Sequence, residues 1–507
     1  MTAPSIPAPH LDQSACSPQS GIPPVATAGQ RTATSRAGLG TPAITMMVVA
    51  AAAPLTVLSG GTPLGILTGN GAAFPVSFLV VGVALLLFSI GFSAMSRHVT
   101  GSGGFFNAIG RGLHPMFGLG ASTLALFTYL MIQSAIVCFL GMQICTCFAS
   151  IAGLTVPWWV CSLAAAALAG VLGYRNIAMS ANVVNVLIAG EIAVAVVLCV
   201  AIFARHLPAG VDFAATFSPS ASLEGAPGVA IIFAIASFVG FESTSIYRAE
   251  ARDPDVTVPR ATYVAVVFVT LLYLVSSFAI VVAWCSDGAV DADALTAGDM
   301  LQATGAKYVG GWFANVISVL IITSLFAAVL SFHNVLARYM RAMADARALP
   351  SVLGRLHARH GSPTFASLVA TAASVGVVLC VGIAGLDPFT QAFSWFSGVA
   401  VLGFVMLLVL ACLSVVVMFV RRADLRAGEG ILKSVVAPGV GVLLLVAILA
   451  CAVMYFPDLV GEASFGVTCR TLVACACAAF AVGVVETIIM RRRSDDAYRA
   501  LESAIAG

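Results

Sequence analysis

The chain has 507 residues, of which 60% are hydrophobic and only 9% charged, with a mean hydropathy of +1.03. So little charge cannot cover a soluble body of this size, which excludes a water-soluble protein and points to an all-α polytopic membrane protein. A net charge of +2 excludes an electrostatic nucleic-acid binder.

Residues 1–42 are rich in Pro, Ser, Thr, Ala and Gly and hold no long apolar run. They read as a disordered cytosolic tail and not as a cleaved signal peptide, which needs an apolar core behind a basic start. Twelve spans follow, predicted near 44–68, 73–96, 116–150, 157–174, 178–204, 228–248, 261–284, 309–335, 365–385, 390–420, 435–456 and 465–490. The third is long enough to tilt, or to begin in an interfacial helix. A charged cytosolic tail, 491–507, ends the chain.

The basic residues set the orientation. With the amino terminus inside, all of the 24 Lys and Arg except Arg205, Lys307 and Arg470 fall on the cytosolic side. The loop after the seventh span is acidic instead, with Asp287, Asp291, Asp293 and Asp299. Such a bias places both termini in the cytosol of a cell membrane. Thirteen cysteines, mostly inside apolar runs, read as small hydrophobes rather than a disulfide framework. Cys145-x-Cys147 and Cys475-x-Cys477 lack the spacing and partner ligands of a zinc site, so no metal and no cofactor is expected.

Two spans carry candidate interruptions. The first has Ser59, Gly60 and Gly61 within an apolar run that also holds Pro54 and Pro63. The sixth has Ser237, Phe238, Val239, Gly240, Phe241, Glu242 and Ser243. They head two consecutive blocks of five spans, 43–204 and 205–427, whose topologies are opposite; helices 11 and 12 fill 428–490. Interruptions at matching places in inverted halves point to a transporter's binding site. A helix broken at Ser59–Gly61 would offer free N–H groups to a carboxylate, and free carbonyls there and in the sixth span would suit an ammonium. The bland reading is that these Gly and Pro residues permit close packing or a kink.

The stretch Ser237-Phe238-Val239-Gly240-Phe241-Glu242-Ser243, followed by Ala249-Glu250 and Val258-Pro259-Arg260-Ala261, resembles the sixth-helix pattern of the amino acid–polyamine–organocation permeases. Ala337-Arg338-Tyr339-Met340-Arg341-Ala342 with Gly361-Ser362-Pro363, and Met95-Ser96 with Gly101-Ser102-Gly103-Gly104-Phe105-Phe106, are similar to its loops after the eighth and second helices. The resemblance covers residues 44–490. It implies a five-plus-five inverted repeat, the leucine-transporter-like fold, with two extra helices and alternating access around helices one and six. The first helix departs from the family's G-x-G-x-F form, since Thr62 and Pro63 follow Gly61.

Acids at membrane depth are costly and mark function by default. Glu242 could gate, hold the substrate's amine through a neighbour, or take up a proton; otherwise it caps a half-helix. Glu191, in the fifth span, stands where the resemblance implies a lysine in several members, near a vestigial ion site. It is either a protonatable coupling group or a structural glutamic acid. Phe332 and Phe238 could form an aromatic lid, as the resemblance implies, or simply pack. His333 reads as a polar packing residue, and the Arg338, Arg341 and Arg347 cluster as topology and lipid contact. The expected function is a secondary-active permease for a neutral amino acid or similar small zwitterion, by proton-coupled symport drawing on the proton gradient. An exchanger of the same superfamily and a non-transporting membrane sensor remain open alternatives. No hydrolase triad, P-loop or dinucleotide fingerprint is present, so an enzyme is not expected.

Overall fold

A computed structural model describes residues 40–99, 105–175, 181–242, 251–285, 298–357, 362–493 and 495–506. Outside these lie residues 1–39, and with them most of the expected 1–42 tail. Also outside are Gly101–Gly104, Ser243, Ala249–Glu250, Gly361 and the acidic Asp287, Asp291 and Asp293.

Every long element among the described residues is helical, because a bilayer offers no partner for free backbone groups and an α-helix satisfies them internally. The principal helices are α1 (Thr41–Ala52), α2 (Phe74–Ser96), α3 (Phe105–Gly112), α4 (Pro115–Ala152), α5 (Trp158–Tyr174) and α6 (Ala181–His206). They continue with α7 (Pro227–Ala236), α8 (Pro254–Trp284), α9 (Met300–Tyr308), α10 (Gly311–Asp345) and α11 (Thr364–Ile383). The last four are α12 (Ser394–Arg421), α13 (Ala437–Met454), α14 (Val467–Arg493) and α15 (Asp495–Ala506). Among the described residues, nine helical stretches are long and apolar enough to cross a membrane; α5 and α7 are shorter apolar helices. One of the nine, Thr41–Ser96, has 56 residues. At about 1.5 Å per residue it is far longer than a bilayer needs, and it is broken at Gly69, whose φ of −102° and ψ of −123° are not helical.

The long α4 is the central post and packs against α5, α10, α12 and α14. The third predicted span, 116–150, is one continuous helix, α4, and a separate short helix precedes it. The amphipathic α3 ends at Gly112, and α4 starts afresh at Pro115, where His114 Nδ1 accepts from the Met116 N–H at 3.2 Å. On the other side α8 packs along both α1 and α2. His333 is buried on α10 with its Nε2 2.9 Å from Ser367 Oγ on α11.

Candidate substrate site between two helix breaks

Residues near the chain's start form the first break, but six residues earlier than the sequence suggested. The interruption lies at Ala53, whose φ of 46° and ψ of 70° are left-handed, and not at Ser59–Gly61. The cause is Pro54. It has no N–H to continue the helix, its ring clashes with the preceding turn, and it forces the residue before it out of the α region. Ser59, Gly60 and Gly61 stay helical in a wide π-type turn, Val57–Gly61, because glycine lowers helix stability by only about 1 kcal/mol. The Ser59 hydroxyl donates back to the Leu55 carbonyl at 2.6 Å, fully buried within its own helix.

Both ends of the Ala53 break are held by side chains from other helices. Tyr273 Oη on α8 donates to the Ala52 carbonyl at 2.8 Å. Glu191 Oε2 on α6 accepts from the Leu55 N–H at 3.2 Å. Beside them Thr56 Oγ1 and Ser324 Oγ of α10 lie 3.4 Å apart.

The second break comes where α7 stops at Ala236. Ser237 to Gly240 form a turn that closes at Gly240, with φ of 107°, a value side-chain-bearing residues rarely adopt. Glu242 folds back on this turn: its Oε2 accepts from the Gly240 N–H at 2.9 Å, and its Oε1 accepts from Tyr129 Oη of α4 at 2.5 Å. Tyr129 in turn sits against the rings of Phe332 and Tyr339, centroids 6.1 and 5.6 Å away.

Between the breaks is a cavity offering about 50 Å³ to the centre of a water molecule, room for a few waters or one small solute. Ala52, Ala53, Thr56, Val57 and Gly61 line it from the first break; Phe233, Ala236, Ser237 and Val239 line it from the second. Ile132 and Ile136 of α4, Ala328 and Phe332 of α10, and Phe393 and Ser397 complete the wall. Four of the expected binding residues, Gly61, Ser237, Val239 and Phe332, therefore meet at one cavity. Ser59, Gly60, Phe238 and Gly240 are not in its lining. Gly60 packs so close to Phe393 and Phe139 that a Cβ there would fall 2.8 and 3.2 Å from their rings. Phe238 instead turns edge-on to Tyr273, centroids 6.0 Å apart. The Ile132, Ile136, Ala328, Phe393 and Ser397 contributions carry no sequence signal, being ordinary residues of apolar helices.

A second, smaller cavity of about 10 Å³, the space one water needs, has Glu242 in its wall with Ser89, Ser93 and Ser96 of α2 and Thr262 of α8. Glu191 lines neither cavity and is 4% exposed.

Residues 39–477 match the family model described as amino acid permease. No curated protein matches the sequence. Two similar solved structures are of the manganese transporter of Eremococcus coleocola, one in complex with an aromatic bis-isothiourea substituted compound and one a mutant. Each is 12% identical and covers 92% of this chain and 94% of its own, with TM-scores of 0.57 and 0.55. At that identity the likeness concerns the fold alone, which is the leucine-transporter-like fold. A family match over most of the chain, on a helical membrane fold with a cavity between two broken helices, places the protein in the amino acid permease family of transporters.

Proposed function

We propose that the chain is a secondary-active permease moving a small neutral amino acid, or a similar zwitterion, by proton-coupled symport. The observation that carries this reading is the cavity itself. It joins the two helix breaks, its wall carries the Thr56, Ser237 and Ser397 hydroxyls for a solute's charged ends, and its described lining holds no charged side chain. An acidic or basic substrate would be left there without a counter-charge. The solved neighbours are transporters of manganese by name. This lining has no carboxylate, imidazole or thioether, and no metal-holding cluster of His, Cys, Asp and Glu occurs among the described residues, which favours an organic solute.

The architecture fits a five-plus-five inverted repeat of twelve spans. The 56-residue stretch, broken at Gly69, counts as two, and α5 and α7 count as one each. The repeats are 43–204 and 205–427, with two further helices in 428–490 and both termini in the cytosol, as the arginine bias suggests. Of the two candidate coupling acids, Glu242 is favoured. It sits on the second break, in the wall of a water-sized cavity, where a proton can arrive and leave, whereas Glu191 is enclosed.

The test is uptake of a radiolabelled amino-acid panel into proteoliposomes, with and without an inward proton gradient. Accumulation of neutral members only when the gradient is present is the expected result. Flux that requires a loaded lumen would replace symport with exchange. No flux or binding of any member, from folded protein, would overturn the substrate class.

A further inference from the structure

A broken helix leaves a carbonyl on one side and an N–H on the other, and in an apolar interior each costs free energy until it is paired. At the Ala53 break the bonded groups are already paired within the protein. The Ala52 carbonyl receives Tyr273 Oη from α8, and the Leu55 N–H gives to Glu191 Oε2 from α6. Tyr273 is 0% exposed and Glu191 4%. Neither belongs to the cavity lining, yet Ala52, Ala53 and Thr56, which they flank, do.

We propose that Glu191 and Tyr273 are a positioning pair, a clamp that fixes the break at Ala53 whether or not substrate is bound and so sets the shape of the cavity's first wall. In this role Glu191 works as a hydrogen-bond acceptor, the job of a helix-capping carboxylate, and not as the group that carries the coupled proton. Its surroundings agree. The groups facing it are the Leu55 N–H, the hydroxyl of Ser324, and Tyr273 as the neighbouring titratable group. Among the described residues no basic side chain pairs with it. The clamp also accounts for how an alanine, with no glycine's freedom, is kept at φ 46°: two helices hold the chain on either side of it.

The inference rests on reading the cavity as the transport site, and the experiment separates the two. Glu191→Gln, Glu191→Ala and Tyr273→Phe are compared by melting temperature in detergent. They are also compared by the KM and pH profile of uptake for the best neutral substrate of the panel. A glutamine oxygen still accepts from Leu55, so Glu191→Gln is expected to keep the melting temperature, the KM and the pH profile. Glu191→Ala and Tyr273→Phe should each lower the melting temperature and raise KM by about tenfold, the scale of a lost cap. Loss of gradient-driven uptake or a displaced pH profile in Glu191→Gln would overturn the proposal by making Glu191 the coupling acid. An unchanged melting temperature in Tyr273→Phe would overturn the clamp, even if Glu191→Ala fails to fold. If no panel member is transported, the substrate reading fails while the melting temperatures still decide the clamp.

Discussion

Gly60 and Gly61 are neighbours in sequence with opposite duties. A methyl at Gly60 would collide with Phe393 at 2.8 Å, whereas at Gly61 the nearest atom is the Phe233 carbonyl at 3.8 Å, an ordinary van der Waals distance, and the residue lines the cavity. Gly60→Ala should therefore cost about 1–3 kcal/mol, as overpacking does, and lower the melting temperature. Gly61→Ala should leave stability unchanged and raise KM more for bulky substrates than for small ones, because it takes space from the site. Equal effects of the two substitutions on stability would contradict this assignment. Glu242 makes the other residue-scale case. Glu242→Gln keeps an acceptor for the Gly240 N–H, turns its NH2 toward Tyr129 Oη, which then accepts instead of donating, and cannot exchange a proton. Counterflow of labelled against unlabelled substrate should survive, and stimulation of uptake by an inward proton gradient should vanish. Full retention of that stimulation would remove Glu242 from the coupling step.

Single helices show how local chemistry places the breaks. The end of α7 depends on Gly240, whose φ of 107° lets the chain turn and bring its N–H onto Glu242. Gly240→Ala forces a strained backbone costing about 1–3 kcal/mol, so a lower melting temperature and reduced uptake are expected together. Wild-type values for both would mean that the turn tolerates a Cβ. This break was legible in the sequence, because a glycine weakens a helix and an acid two residues later is costly at membrane depth unless freed backbone groups receive it. The first break was legible only in kind. Two adjacent glycines draw attention to Ser59–Gly61, yet a proline disrupts a helix more strongly than glycine, and Pro54 moves the break to Ala53. The partners of the breaks were not legible at all. Tyr129 and Glu242 are 113 residues apart, Leu55 and Glu191 136, and Ala52 and Tyr273 221, and no local pattern announces a contact over such separations.

At the scale of the molecule, the composition and the arginine bias announced a multi-span helical membrane protein, since both arise from the bilayer and not from any particular contact. What they could not announce is the end of the chain. Residues 491–507 read as a charged tail, but α15 is a folded helix whose Leu501 and Ile505, four positions apart on one face, are both buried. That spacing was the available signal. The two side chains enter a cluster with Phe106 of α3, Leu119 of α4, Met343 of α10, and Ala346 and Ala348 just beyond it. Ile505 lies so near Gly110 that a Cβ there would be 2.9 Å from its Cδ1. The helix thus ties together α3, α4 and α10, two of which also carry Ile132, Ile136, Ala328 and Phe332 to the cavity. Burying a leucine and an isoleucine contributes about 3–6 kcal/mol, enough to keep the helix docked. Leu501→Asp, or removal of residues 495–507, should release it. The melting temperature should then fall and the maximal uptake rate change, while KM holds, since no residue of α15 lines the cavity. An unaltered melting temperature after either change would show that the docked helix contributes nothing to the fold. A raised KM would mean instead that α15 reaches the substrate site through the helices it binds.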